Sequence, residues 1–554
     1  MDGLMMDYPL TVPVMLRRAE SLFFDREIVS RRPDGSLNRY GYGEMARRAR
    51  QLALALQRLG LERGDRVATL CWNHKRHLEA YFGIPIAGGV LHTLNLRLSP
   101  DDVAYTINHA QDRFVIVDAS LLPLFEQARP TVDVEQVIVI GDGAPLPEGL
   151  LEYDKLLDAE RAEDWVDLEL NELEAAVLCY TSGTTGRPKG VVYSHRAILL
   201  HSLVSGLSCT MGPSDQDTVL ILVPMFHANA WGLPYTCTFV GAKQILPGEH
   251  LDTAGMAHLL TTERVTQCSA VPTVWLNLLQ FMDRNPGVCN LSHMRVLGTG
   301  GQAMPEEAVR RFNEEFSIVM VTGWGMTETG PVSTQGTLIE LVHDRYGTTQ
   351  HYVKTCGRQV PLTELRVRSG DAVVPRDGVT AGELEVRGAT VASSYFNDVD
   401  SAEKFTTDGW LRTGDVASID AHGHVAIHDR AKDAVKSGGE WISSIALENA
   451  LMAHPAVSEA AVIAVAHPTW VERPVAVVAF KAGMSATSTE LREFIAPRFA
   501  RWWLPDAFVF LPEIPKTSTG KFQKSALREQ YHDVLIKQPG LALYDQAPPI
   551  RSQV

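Results

Sequence analysis

Between residues 42 and 323 the chain repeatedly sets a short apolar run after an amphipathic stretch, and this rhythm limits its fold more than any other feature. Residues 42–59 (YGEMARRARQLALALQRL) place Leu and Ala at helical spacing, and residues 66–71 (RVATLC) then read as a buried strand. Residues 114–118 (FVIVD) and 136–140 (QVIVI) are further strands, each ending at an Asp or Gly turn. From residue 175 the pattern continues through AAVLCYT, TVLILVP, AKQILP, CSAVP, MRVLGTG and IVMVTG. Strands alternating with helices predict parallel α/β sheets. After about residue 355 the runs ELRVRS, GELEVRG and HVAIHD alternate polar and apolar residues, which predicts a small β-rich subdomain. A polar, glycine-containing stretch at 432–441 (KDAVKSGGEW) then precedes a fresh βα rhythm, so a domain boundary is expected near residue 430.

Composition narrows the partners. The 554 residues carry 51 Lys+Arg against 66 Asp+Glu, a formal net charge of −15, which disfavours polyanionic partners such as nucleic acid. The seven cysteines are scattered, with no Cys-x-x-Cys pair, so reduced thiols are expected rather than a disulfide framework or zinc ribbon. Residues 1–7 are acidic where a signal peptide is basic, and no apolar run reaches the roughly 18 residues of a membrane span. The cell interior is the expected compartment.

Five segments carry candidate chemistry. Residues 180–190 (YTSGTTGRPKG) follow an apolar strand and gather hydroxyls, glycines, an Arg and a Lys, a set that can wrap phosphate oxygens. It is not a Walker A loop, because Pro188 separates Lys189 from the glycines. Residues 298–303 (GTGGQA) match a dinucleotide fingerprint, but the next strand ends in Gly323-Trp324-Gly325 and lacks the acidic residue that a nicotinamide enzyme needs. Trp324, between two glycines, can offer an indole face to a purine, and Glu328 offers the hard oxygen that Mg²⁺ prefers. In residues 408–415 (DGWLRTGD) a turn positions Asp415, which suits ribose hydroxyls or simple turn capping. Residues 514–522 (IPKTSTGKF) form a small-residue loop with two lysines, suited to a cation that reaches into a site from another domain.

With these motifs in order, the sequence resembles the adenylate-forming (AMP-forming) acyl-CoA synthetases, and within them the bacterial medium- and long-chain fatty acyl-CoA synthetases. The resemblance spans nearly the whole chain and rests on YTSGTTGRPKG (180–190), GWGMTETGPV (323–332), GWLRTGD (409–415), DRAKD (429–433), SGGEWIS (437–443) and PKTSTGK (515–521). It implies a large N-terminal α/β domain, residues 1–431, made of two parallel-type subdomains (about 1–175 and 176–354) and a β-rich one (355–431). A small mobile α+β lid, residues 432–554, would pivot at Lys432. Two half-reactions follow: a fatty acid attacks the α-phosphate of ATP, and the thiol of CoA then displaces AMP.

The same resemblance distributes the roles. Thr181, Ser182, Gly183, Thr184, Thr185, Gly186 and Lys189 would hold phosphates, with Thr184 and Glu328 on Mg²⁺. The backbone of Gly300, Gly301, Gln302 and Ala303 would line adenine. The segment Gly323, Trp324, Gly325, Met326 and Thr327 would stack on it, and Asp415 and Arg430 would grip the ribose. His227 would sit near the substrate carboxylate, with a core histidine as the alternative, while Trp231 and Gly323 line the acyl path. Lys521 would bridge carboxylate and α-phosphate; Lys436, Gly438, Gly439, Glu440 and Trp441 would meet CoA. A homodimer and a cytoplasmic location are implied, and peripheral membrane contact stays open. A short methylthioalkanoate, or a non-CoA acyl acceptor, would use the same ATP motifs.

Overall fold

The computed structural model describes residues 1, 3–141, 146–181, 187–302, 304–336, 355–437, 440–516 and 522–537. Its strands form four sheets. A seven-stranded sheet runs Leu151–Glu152, Gln136–Ile140, Asp112–Asp118, Arg66–Leu70, Val90–Thr93, Ala175–Tyr180, Gly190–Ser194; only the last strand is antiparallel. A nine-stranded sheet is parallel from Val319–Gly325 through Val296–Gly300, Gln267–Ala270, Thr218–Leu220 and Lys243–Leu246 to Glu27–Arg31, with antiparallel strands at both edges.

The break expected near residue 175 does not divide these sheets. Glu27–Arg31 pairs with Lys243–Leu246 in the second sheet, whereas Ala175–Tyr180 and Gly190–Ser194 complete the first. Parallel pairing needs no sequence proximity, so two apolar strands more than 200 residues apart can be neighbours. The alternating runs after residue 355 do form an antiparallel sheet of five strands, with Thr363–Ser369, Gly382–Gly388, Leu411–Ile419 and Val425–Arg430 as its main members. The fourth sheet belongs to the small C-terminal domain, where Val457–His467 and Val471–Phe480 form a long hairpin and Ala507–Phe510 lies parallel to the second of them.

Helices cover the parallel sheets as their apolar stripes require. Tyr42–Arg58 buries Met45, Ala49, Leu52 and Leu56, and meets Lys75–Ile86 closely. Gly83 permits that approach, since a Cβ there would lie 2.9 Å from the carbonyl oxygen of Ala49. Burial of each large apolar side chain in such a contact contributes about 1.5–3 kcal/mol. The consequence for function is positional: the carboxyl ends of Ala175–Tyr180, Gln267–Ala270, Val296–Gly300 and Val319–Gly325 come together beside residues of the five-stranded sheet. Crevices at such strand ends are where open α/β sheets bind ligands.

Candidate functional site

A cavity of about 620 Å³ opens at those strand ends. Its first wall is the end of Ala175–Tyr180. Thr181 N–H donates to the carbonyl of Lys189 at 2.9 Å, and Lys189 N–H donates back to Thr181 Oγ1 at 3.1 Å, clamping the two ends of the intervening loop. Ser182, Gly183, Thr184, Thr185 and Gly186 lie outside the described residues. Lys189 Nζ pairs with Asp398 at 2.8 Å and sits 5.0 Å from the Tyr395 ring centroid.

Glu328 stands in the short turn Thr327–Thr329, which Tyr193 anchors by donating its hydroxyl to the Thr327 carbonyl at 2.6 Å. Tyr193 comes from the seven-stranded sheet and Glu328 follows a strand of the nine-stranded one, so this bond ties the two sheets at the site. The Glu328 carboxylate is buried and accepts the Tyr395 hydroxyl. Burial pushes the Tyr395 phenol far above its usual range, so it stays a donor. Glu328, Tyr395, Lys189 and Asp398 thus form one connected chain. Tyr395 and Asp398 were not foreseen: the segment YFND has no glycine and no repeated cation to mark it, and only the tertiary fold brings it in.

The opposite wall is built on glycines. Trp324 and Gly325 end the strand Val319–Gly325 rather than forming the expected turn, and a Cβ on Gly325 would lie 1.9 Å from the Pro331 carbonyl oxygen, so this strand end tolerates no side chain there. Trp324 donates its indole N–H to Asp415 Oδ2 at 2.8 Å, and Arg430 Nε meets Asp415 Oδ1 at 3.0 Å. Asp415 is 2% exposed and lies within the strand Leu411–Ile419, in register with Arg430, rather than in a turn as expected. Proximity to Asp415 is the main reason the Arg430 guanidinium is held above its ordinary value.

His227 and Trp231 frame the apolar arm. Ala228, Asn229, Ala230 and Trp231 all have φ between 42° and 55°, and Gly232 follows at 75°. Four consecutive left-handed non-glycine residues are rare, because Cβ crowds the following carbonyl. Asn229 holds the turn from inside, accepting the Cys179 thiol at 3.3 Å. The turn carries Trp231 against Gly300, whose added Cβ would be 3.5 Å from the indole. Met211, Leu233 and Val271 line the cavity alongside it.

A second cavity of about 280 Å³ adjoins the first, with Trp324 in the wall of both. Gly301, Gln302, Asp415 and Arg430 line it from the large domain, and Phe522, Gln523, Lys524 and Arg528 from the small one. Lys524 is another residue without a distinctive signature; its ammonium meets Glu448 at 2.6 Å and Ser444 Oγ at 2.7 Å. Burial pushes the Glu448 carboxyl up to about 7.

Of the expected residues, Thr181, Lys189, His227, Trp231, Gly300, Gly301, Gly323, Trp324, Gly325, Met326, Thr327, Glu328, Arg430 and Lys432 line the larger cavity, and Gln302 and Asp415 the smaller. Lys436 lines neither; its N–H donates to Glu472 at 2.8 Å. Ala303, Gly438, Gly439 and Lys521 lie outside the described residues, as do the side chains of Glu440 and Trp441. The larger cavity is lined by the cations Arg187, Lys189, Lys404, Arg412, Arg430 and Lys432 against the carboxylates Glu328 and Glu383. Such an excess of fixed positive charge in a partly enclosed site favours anionic ligands and developing negative charge.

Residues 17–396 match the family described as AMP-binding enzyme, and residues 446–521 match the AMP-binding enzyme C-terminal domain. The chain is 47% identical over 533 residues to the long-chain-fatty-acid–CoA ligase of Thermus thermophilus, covering 95% of this chain and 96% of that protein. It is 40% identical to the 3-methylmercaptopropionyl-CoA ligase of Ruegeria lacuscaerulensis, covering 97% and 100%. Among solved structures, the anthranilate CoA ligase AuaEII in complex with anthranoyl-AMP superposes with a TM-score of 0.86 at 25% identity, covering 96% and 99%.

Proposed function

We propose, for a chain that belongs to the AMP-binding enzyme family and is an AMP-forming acid–CoA ligase, that the acid it activates is a fatty acid of medium to long chain. The observation that carries this reading is the division of the large cavity. One end is lined by Arg187, Lys189 and Arg430, while the other, past Trp231, is lined by Met211, Leu233 and Val271, with no cation for a second acid group among the described residues. A carboxylate at the junction beside His227 then leaves an alkyl chain in apolar surroundings.

ATP and CoA are the co-substrates. Two anions must meet in the first half-reaction, so charge has to be neutralised before the acid oxygen can attack the α-phosphorus and expel pyrophosphate. In this reading Thr181 and Lys189 bind the outer phosphates, and Trp324 packs on adenine. Asp415, fixed by Trp324 and Arg430, accepts the ribose hydroxyls. The buried Glu328 carboxylate at the cavity wall is the kind of oxygen donor that Mg²⁺ takes, so the residues present fit that ion. When bound, it supplies charge neutralisation to the triphosphate; Thr184 would be its second protein contact. Lys521 supplies the cation between carboxylate and α-phosphate, and Lys432 is the pivot by which the small domain withdraws it. Lys436, Gly438, Gly439, Glu440 and Trp441 then meet CoA, whose thiol attacks the acyl carbonyl and expels AMP.

The likeness to a 3-methylmercaptopropionyl-CoA ligase favours a second reading, a short thioether acid, which the same residues would accept. A cytoplasmic location belongs to the proposal; all seven cysteines are free thiols, and among the described residues no helix is long and apolar enough to cross a membrane. So does a homodimer, for which exposed Leu4, Met5, Met6 and Tyr8 provide apolar surface. Peripheral membrane contact would draw on the same residues.

The test is a carboxylate panel from acetate to stearate, with thioether and aryl acids, read as pyrophosphate release with and without CoA. Preference for a thioether acid over every alkanoate overturns the fatty-acid reading. Lys521→Ala should abolish acid-dependent pyrophosphate release yet largely spare thioester formation from supplied acyl-adenylate. Equal loss of both half-reactions defeats that division of roles.

A further inference from the structure

Beside the large cavity lies a small one of about 10 Å³, room for a single water. Thr181 and His227 line both, so these two residues form the shared wall. The small cavity is also lined by His92, Thr106, Tyr180 and Phe226.

His92 sits in the strand Val90–Thr93, inside the seven-stranded sheet, with no exposed surface. Its Nδ1 lies 2.7 Å from Asp112 Oδ2, and Asp112, at the start of the strand Asp112–Asp118 two places away in the same sheet, is 1% exposed. His92 Nε2 and Asp112 Oδ1 have no hydrogen-bond partner among the described residues. Nδ1 is committed to the carboxylate, so Nε2 is the nitrogen left for the cavity that the ring lines. The Tyr180 ring, 4.9 Å away, fixes the imidazole from its side, and the Tyr180 hydroxyl is itself bonded to His109 Nδ1 at 2.7 Å.

Stability does not explain this dyad. Removing two ionisable groups from water inside a parallel sheet costs more than their mutual attraction generally returns, and well-packed apolar residues of similar volume do as well or better. Burial accordingly raises the Asp112 carboxyl above its ordinary value. An orphaned buried nitrogen adds a further penalty unless a water meets it.

We propose that His92, oriented by Asp112, is a positioning residue for adenylate formation: one water in the small cavity bonds His92 Nε2 and fixes the His227 imidazole and the phosphate-binding segment at Thr181. This role rests on the assignment of Thr181 and His227 to the ATP and carboxylate ends of the site. A histidine–carboxylate pair behind a reacting group orients it without touching substrate, and loss of such supporting partners lowers activity rather than abolishing it.

The experiment compares wild type, His92→Leu, His92→Gln and Asp112→Asn. In His92→Leu the kcat for acid-dependent pyrophosphate release should fall roughly tenfold or more. Thioester formation from supplied acyl-adenylate should stay at the wild-type rate. His92→Gln, which keeps a polar group facing the cavity, should recover most of the lost rate, and a crystal structure of the wild-type protein should show a water bonded to His92 Nε2. Equal loss of both half-reactions, a Gln variant no better than Leu, or a dry cavity overturns the role. If His92→Leu does not fold, Asp112→Asn carries the same comparison. Wild type that releases no pyrophosphate with any acid in the panel overturns the functional reading, and this role with it; a deficit confined to the variants' melting temperature overturns this role alone.

Discussion

Asp415 shows how one carboxylate organises several groups. Both of its oxygens are engaged, one by the Trp324 indole N–H and the other by Arg430, and almost none of it reaches solvent. Truncation would leave the Arg430 cation uncompensated and the indole unmoored, a loss on the order of 1–3 kcal/mol for a buried partner of a charged group. Asp415→Ala should therefore raise the KM for ATP about ten- to a hundredfold, with Asp415→Asn between the two because its amide oxygen still accepts the indole N–H. Steady-state pyrophosphate release across ATP concentrations measures this, and an unchanged KM would remove Asp415 from nucleotide binding. At this scale the sequence was legible where a motif has a physical reason to be short. Gly325 is required because Pro331 leaves no room for a Cβ, so GWG marks the end of its own strand. Tyr395 and Asp398 were illegible, because the contacts that matter run to Glu328 and Lys189, far away in the chain.

The segment Ala228–Trp231 illustrates what element-level reading misses. Its sequence, HANAWG, reads as part of an apolar stretch, yet the backbone makes a left-handed turn through four non-glycine residues. Each such residue costs about 1–2 kcal/mol, and strain of this kind persists where a site needs a fixed geometry. Here the geometry is that of Trp231 against Gly300. Ala230 is fully buried, so Ala230→Gly loses about 0.8 kcal/mol of methyl burial while relieving the strain at that position. The expected result is a melting temperature equal to or slightly above wild type, together with weaker discrimination between acids of different chain length. Thermal unfolding and the carboxylate panel test both parts; a melting temperature several degrees lower would show that the turn is not strained. The parallel strands themselves were legible as apolar runs, but their order was not. Ile28↔Gln244 is a register that no local pattern encodes.

At the scale of the whole molecule, a chain of net charge −15 encloses a cavity whose charged lining is mainly cationic, so global charge and local field have opposite signs. The same separation of surface from interior governs how stability depends on pH. Burial drives His77 down to about 3 and both His195 and His201 down to about 4. The His77 ring bonds Thr69 Oγ1 through Nε2 and the Trp72 carbonyl through Nδ1, each at 3.0 Å; burial keeps it neutral although the carbonyl favours its protonated form. In the unfolded chain these groups titrate near 6.5, so between that pH and about 4 the unfolded chain binds more protons than the folded one. Their contribution is complete above 6.5 and is lost as pH falls toward 4. Glu448 acts oppositely: its folded value of about 7 exceeds the ordinary 4.5, so its contribution is complete below 4.5 and lost as pH rises through 7. Each group changes stability by at most about 1.4 kcal/mol per pH unit, and three histidines outweigh one carboxyl. The melting temperature should therefore fall as pH is lowered from 6.5 toward 4, before carboxylates with depressed values, such as Asp377 at about 2, begin to titrate. His201→Gln should flatten part of that fall, because its ring nitrogen Nε2 has no partner to lose among the described residues. A mutant series with the same slope as wild type would show that the buried imidazoles do not set the acid limit of this fold.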